Sequence, residues 1–102
     1  EANLEEEIPF TFQEASYVAK TDSSLLSDIL KKQPELTDET DDNGWNLLHW
    51  ASYFGNLESV AVILKYQRDI NIRTSKDNKG GNAVWLASKQ NHYRVVDYLI
   101  TN

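Results

Sequence analysis

Cysteine is absent from all 102 residues, which excludes disulfides and thiolate metal sites and leaves the redox compartment unread. Methionine is absent too, position 1 included; an open reading frame begins with one, so the sequence reads as an excised domain or a processed product. No apolar run approaches the ~20 residues of a membrane span, so membrane insertion is not expected. No signal peptide is visible in this sequence. Basic residues are scarce early on. Residues 1–44 hold twelve acids and three bases, and residues 45–102 hold four acids and seven bases, for a net charge of −6. An acidic surface disfavours nucleic acid, whose phosphates are bound by Lys and Arg. It favours a partner with a basic segment; the competing reading is a solvated tail and loop. Lys79-Gly80-Gly81 lacks the spacing and the following Lys–Ser/Thr of a phosphate loop. No segment is of low complexity, and no linker divides the chain.

What is present is a period. Ala15-Ser16, Ala51-Ser52 and Ala87-Ser88 recur at steps of 36 residues, and Phe12, Leu48 and Val84 precede them by three positions. A fixed period of about 20–50 residues marks a repeat array, in which stacked units offer an extended surface for other proteins. Leu57, Val60, Ala61, Ile63 and Leu64 lie at helical spacing with one apolar face. The stretch from Leu47 to Phe54 is apolar over much of its circumference, as in a helix packed on two sides. Gly55-Asn56 suits a left-handed helix end.

The middle unit resembles an ankyrin repeat. The matching parts are Asp41-x-x-Gly44, Leu48-His49-x-Ala51, Gly55-Asn56, Val60-x-x-Ile63-Leu64 and Asp69-Ile70-Asn71. The third unit is a weaker copy: Asp77-Asn78-Lys79-Gly80, Val84-Trp85-Leu86-Ala87, Asn91-His92 and Val95-Val96-x-x-Leu99-Ile100. The first keeps Phe12-x-x-Ala15-Ser16 and Leu25-Leu26-x-x-Ile29-Leu30. Two features depart from the pattern. Asn46-Leu47 and Asn82-Ala83 stand where Thr-Pro is usual, and the link from Arg73 to Lys79 exceeds the usual ~33-residue period by about three residues, which implies an enlarged hairpin tip.

The resemblance implies an all-α solenoid of stacked helix-turn-helix units joined by hairpin-like links. Its units span about 10–40, 41–73 and 77–102, the first a divergent cap, behind a mobile or loosely docked acidic lead-in over 1–9. Phe10 and Phe12 start the core. Helices are expected over 11–20, 24–32, 47–54, 57–67, 83–90 and 93–100. Asp22 or Ser23, Asn46 and Asn82 are the expected N-caps, and Pro34 ends the second helix. Residues 35–44 read as a polar turn, and Gly80-Gly81 as the hinge of the long link. The chain stops at Thr101-Asn102 without a polar capping unit, so more repeats are expected in the parent protein. Val95, Tyr98 or Leu99 would then be open to self-association.

Partners of ankyrin arrays meet the hairpin tips and the exposed face of the first helix. In unit two those positions are Asp42, Asn43, Trp45, Tyr53, Phe54 and Arg73, with Trp50 on the same helix. Exposed Trp and Tyr are enriched at binding hot spots. The competing reading packs Trp50 and Phe54 against the neighbouring units. Asn78, Lys79, Gly81, Lys89 and Gln90 would form a polar, basic rim in unit three. His49 falls where the family places a structural hydrogen-bonding ring, with no second His or carboxylate at i+4 to make a ligand pair. His92 lies at an interhelical turn and is expected to face solvent. Asn71 is a candidate for hydroxylation by an asparaginyl hydroxylase; the bland alternative is a bond to its own turn. Nothing groups a nucleophile, a base and an orienting acid. A non-catalytic intracellular, cytoplasmic module without cofactor is therefore expected, binding a protein or peptide, or else positioning another domain of a larger protein.

Overall fold

A computed structural model of the chain describes residues 9–67 and 82–101. Among them lie six α-helices and no strand: α1 Phe12–Thr21, α2 Ser23–Lys32, α3 Leu47–Phe54, α4 Leu57–Leu64, α5 Ala83–Lys89 and α6 Tyr93–Thr101, with a 3-10 turn over Pro34–Asp38. The acidic lead-in up to residue 8 and the long link over 68–81 lie outside the described residues.

Five helices start on a side chain that accepts from an otherwise orphan backbone N–H. Thr11 Oγ1 accepts from Glu14 N at 3.1 Å while Glu14 Oε1 accepts from Thr11 N at 2.9 Å, a reciprocal box. Asp22 caps α2, Asn56 caps α4, and Asn46 and Asn82 cap α3 and α5. These last two asparagines do the work of the usual Thr-Pro.

The corners between paired helices differ from unit to unit. Gly55 ends α3 at φ 74° and Asn91, 36 residues on, ends α5 at φ 63°. Both occupy the left-handed region that lets a helix reverse in one residue. Unit one has no such corner. There α1 runs ten residues against eight in α3. Asp22 closes α1, its N–H donating to Val18 O at 2.7 Å, and opens α2, its carboxylate accepting from Leu25 N at 3.1 Å.

The helices stack in two layers, α1–α3–α5 and α2–α4–α6, each helix packed on its neighbour in the array. Ala15, Ala51 and Ala87 are all fully buried in the first layer. Their methyl groups let the helices approach at the short end of the usual 8–10 Å separation. Leu26, Ile29, Leu30, Val60, Ile63, Val95 and Leu99 fill the seam of the second layer, with Leu47 and Leu48 between layers. Each such side chain contributes roughly 1.5–3 kcal/mol by leaving water. Phe10 and Phe12 pack on this core partly buried, and Gln33 closes that end by exchanging two hydrogen bonds with the Phe10 backbone, 2.8 and 3.0 Å.

Several expectations are corrected. Residues 35–44 are not wholly polar turn: Pro34 pre-sets the backbone of a 3-10 helix, which buries Leu36 and Thr37. Helix α4 stops at Leu64, three residues early, and Gln67 is buried, its N–H donating to Ile63 O at 2.9 Å. Val95 and Leu99 are not open to a neighbour; both are 1% exposed because α6 turns them onto α4 and α5. Tyr98 is half-buried, and Tyr93 and Ile100 face outward instead. His92 is half-buried rather than solvent-facing, because its ring lies over Gly55.

Ser52 and Ser59 carry buried hydroxyls with no hydrogen-bond partner. A buried orphan hydroxyl costs about 1–3 kcal/mol, and Ser52 stands beside the stacked alanine. Ser52→Ala is expected to raise stability by about 0.5–1 kcal/mol, read as a higher urea midpoint; a lower midpoint would show that the hydroxyl is bonded.

Candidate protein-binding site

Asp41 builds the turn into α3. Its Oδ1 accepts from Asn43 N and Trp45 N, both at 3.0 Å. Its own N–H donates to Trp45 O at 3.0 Å, and Gly44 N donates to Asp41 O at 2.9 Å with Gly44 at φ 81°. Its Oδ2 accepts from the Trp50 indole Nε1–H at 3.0 Å. One carboxylate thus fixes the turn and one ring of the helix that follows. The Asp-x-x-Gly motif was the signal that could have singled it out.

On α3, positions i, i+3 and i+4 share a face. Trp50, Tyr53 and Phe54 hold those positions, and Trp45 reaches them from the turn. Ring centroids stand 4.4 Å apart for Trp45 and Trp50, 5.4 Å for Trp45 and Tyr53, 6.1 Å for Trp50 and Phe54, and 5.5 Å for Tyr53 and Phe54. These are the edge-on and tilted contacts that aromatic quadrupoles favour. The four rings form one continuous cluster with graded exposure. Trp45 is 6% exposed and Phe54 50% exposed, with Trp50 and Tyr53 between. Trp45 is therefore the floor of the cluster and not the exposed anchor expected of it, because its backbone is locked into the Asp41 turn.

Lys20, from the last turn of α1, closes the cluster on one side. Its Nζ lies 4.5 Å from the Trp50 ring centroid and 5.2 Å from that of Phe54, within the ~6 Å over which a cation is drawn to a ring face. Sequence reading missed Lys20, since its partners stand some thirty positions away.

His49 is 1% exposed and exchanges two hydrogen bonds with Asn46: Nδ1 accepts from Asn46 N and Asn46 Oδ1 accepts from His49 N, both at 2.9 Å. It is a structural part of the α3 start. Among the remaining candidates, Asp42 and Asn43 are exposed in the turn, and Lys89 and Gln90 are exposed at the end of α5. Lys89 Nζ stands 5.6 Å over the ring of Trp85, an exposed indole that sequence reading did not single out. Arg73, Asn78, Lys79 and Gly81, with Asn71, lie outside the described residues. Among the described residues there is no cluster of three metal-ligating side chains, and no helix long and apolar enough to cross a membrane.

A family model of ankyrin repeats in three copies matches residues 14–102. The chain belongs to the ankyrin-repeat family. It is 29% identical over 76 residues to an ankyrin repeat and SOCS box protein of Bos taurus, a match covering 74% of this chain and 14% of that protein. It is 36% identical over 78 residues to a potassium channel of Arabidopsis thaliana, covering 76% of this chain and 9% of the channel. The chain thus spans a quarter or less of the curated relatives it matches. In fold it is similar to a chain in the crystal structure of the yeast ribosomal protein Rps3 in complex with its chaperone Yar1. The TM-score is 0.55 and the identity 20%, over 91% of this chain and 95% of that one. Ankyrin repeats are generally protein–protein interaction modules and generally non-catalytic.

Proposed function

We propose that this chain is a non-catalytic protein-binding module that takes a protein or peptide segment on the concave side of the α1–α3–α5 layer. Phe54, Tyr53 and the accessible part of Trp50 are the anchors. Asp42, Asn43 and Lys89 are the rim. The observation that carries this reading is the half-exposed Phe54 ring at the open edge of a preassembled aromatic cluster. A held aromatic side chain is already ordered, so little rotamer freedom is lost when a partner covers it. The acidic first half supports a basic partner segment. The chaperone structure supports the class of partner, a protein.

A second reading has its own support. The matched repeats are a small part of a SOCS box protein and of a channel, so the block could instead set the position of another domain.

The test is a pull-down with wild type and with Phe54→Ala, which removes a half-exposed ring and so is expected to cost only about 1 kcal/mol of stability and to leave the fold intact. A protein held by the wild type should lose at least about ten-fold in affinity for the variant, the size of a hot-spot truncation. Equal retention would remove α3 as the site. No retention by either would favour the positioning role.

A further inference from the structure

Lys20 is held in an unusual way. It sits on the last turn of α1, half-buried, and the two ring faces of Trp50 and Phe54 are the only recorded partners of its ammonium; no described residue forms an ion pair or a hydrogen bond with it. We propose that the Trp50–Phe54 pair is a seat for one cationic side chain of the partner, a lysine or an arginine in a basic segment, and that Lys20 is the seat's internal occupant, displaced when the partner binds. This rests on the protein-binding reading above and names the chemistry of its central contact.

Three features fit a cation there. The indole of Trp50 donates its Nε1–H to the Asp41 carboxylate at 3.0 Å. That bond pushes electron density into the ring and makes its face a better cation acceptor. The second ring, Phe54, is tilted 39° to the first with centroids 6.1 Å apart, so one charge touches both. The charge at the seat has the right sign: the Asp41 carboxylate is bonded to the edge of its indole, and Asp42 follows in sequence. A neutral apolar plug would gain only area, whereas a guanidinium could stack flat on the indole.

Displacement exchanges one cation for another, so Lys20 lowers the affinity it helps to reveal. Its removal should tighten binding of a cationic segment by the strength of an exposed cation–π contact, about two- to five-fold.

The experiment uses the full chain and three probes: a decapeptide of alternating arginine and glycine, and its glutamine and glutamate counterparts. Binding is read from the Trp50 Nε1–H resonance and from the Kd of the titration. The arginine peptide is expected to move that resonance, and Lys20→Ala to tighten its binding about two- to five-fold. Lys31→Ala, an exposed lysine on α2 that changes the net charge equally, should change it less. In the Lys20→Ala chain, Phe54→Leu keeps an apolar side chain but removes one of the two rings and should reduce the gain. The seat is overturned if the glutamine peptide gains as much as the arginine peptide on Lys20→Ala, which would make Lys20 a mere cover. It is also overturned if Lys31→Ala matches Lys20→Ala, or if the arginine peptide leaves Trp50 unmoved. In each of these cases the protein-binding reading still stands or falls on the pull-down with Phe54→Ala.

Discussion

Trp45→Ala is expected to unfold this chain, or nearly so, before it tells anything about binding. Truncating a buried Trp costs about 3–5 kcal/mol, part lost transfer energy and part residual cavity. Trp45 is 6% exposed, with Trp50, Tyr53 and His49 ranged around it at centroid distances of 4.4, 5.4 and 6.2 Å. Three rings would line the hole, and none can fill it without leaving its own contacts. Trp50 is tied by its indole bond to Asp41, and His49 by its exchange with Asn46. At 4–8 °C per kcal/mol for a domain of this size, the melting temperature should fall by at least roughly 12 °C. Circular dichroism melts of Trp45→Ala beside Phe54→Ala make the check. A fall of only a few degrees for Trp45→Ala would return that residue to the surface and to the candidate contacts.

Gly55→Ala should cost about 2–5 kcal/mol, the sum of two separable causes. The first is backbone: at φ 74° an L side chain is strained by about 1–2 kcal/mol. The second is packing. A Cβ at Gly55 would come within 2.5–2.7 Å of Nδ1, Cε1 and Cγ of His92, so the ring that locks unit three onto unit two must move, a typical overpacking cost of 1–3 kcal/mol. Removing the ring should recover the second cause but not the first. Gly55→Ala is therefore expected to cost less in a His92→Ala background than in the wild type, by about 1–3 kcal/mol, in a double-mutant cycle read by urea denaturation. Strict additivity would mean that the ring yields freely and that only the backbone matters.

The repeat was legible because the stacking geometry is legible. Residues that must be small at a helix crossing recur at the same step as the crossings, so Ala15, Ala51 and Ala87 announce the first layer. The caps were legible for a similar reason, since Asp22, Asn46 and Asn82 are side chains suited to orphan N–H groups. The 3-10 turn at Pro34–Asp38 was not, because one buried Leu36 among polar residues carries no period. Nor was the burial of Trp45. Its residue type marks an anchor as readily as a core side chain, and what decides between them is the Asp41 turn folding it back under α3. Lys20 and the His92–Gly55 contact depend on how units meet, and a local pattern holds no record of that.

The α3 helix touches both of its layer neighbours as well as its own partner helix, whereas α1 and α5 each stand against it from one side. Within this chain α1 or α5 can therefore part from the array by one seam, whereas α3 cannot open without parting two together. Local opening within these residues costs most at α3. Trp50, Tyr53 and Phe54 are carried by that helix, so the face they make persists through openings that loosen its neighbours.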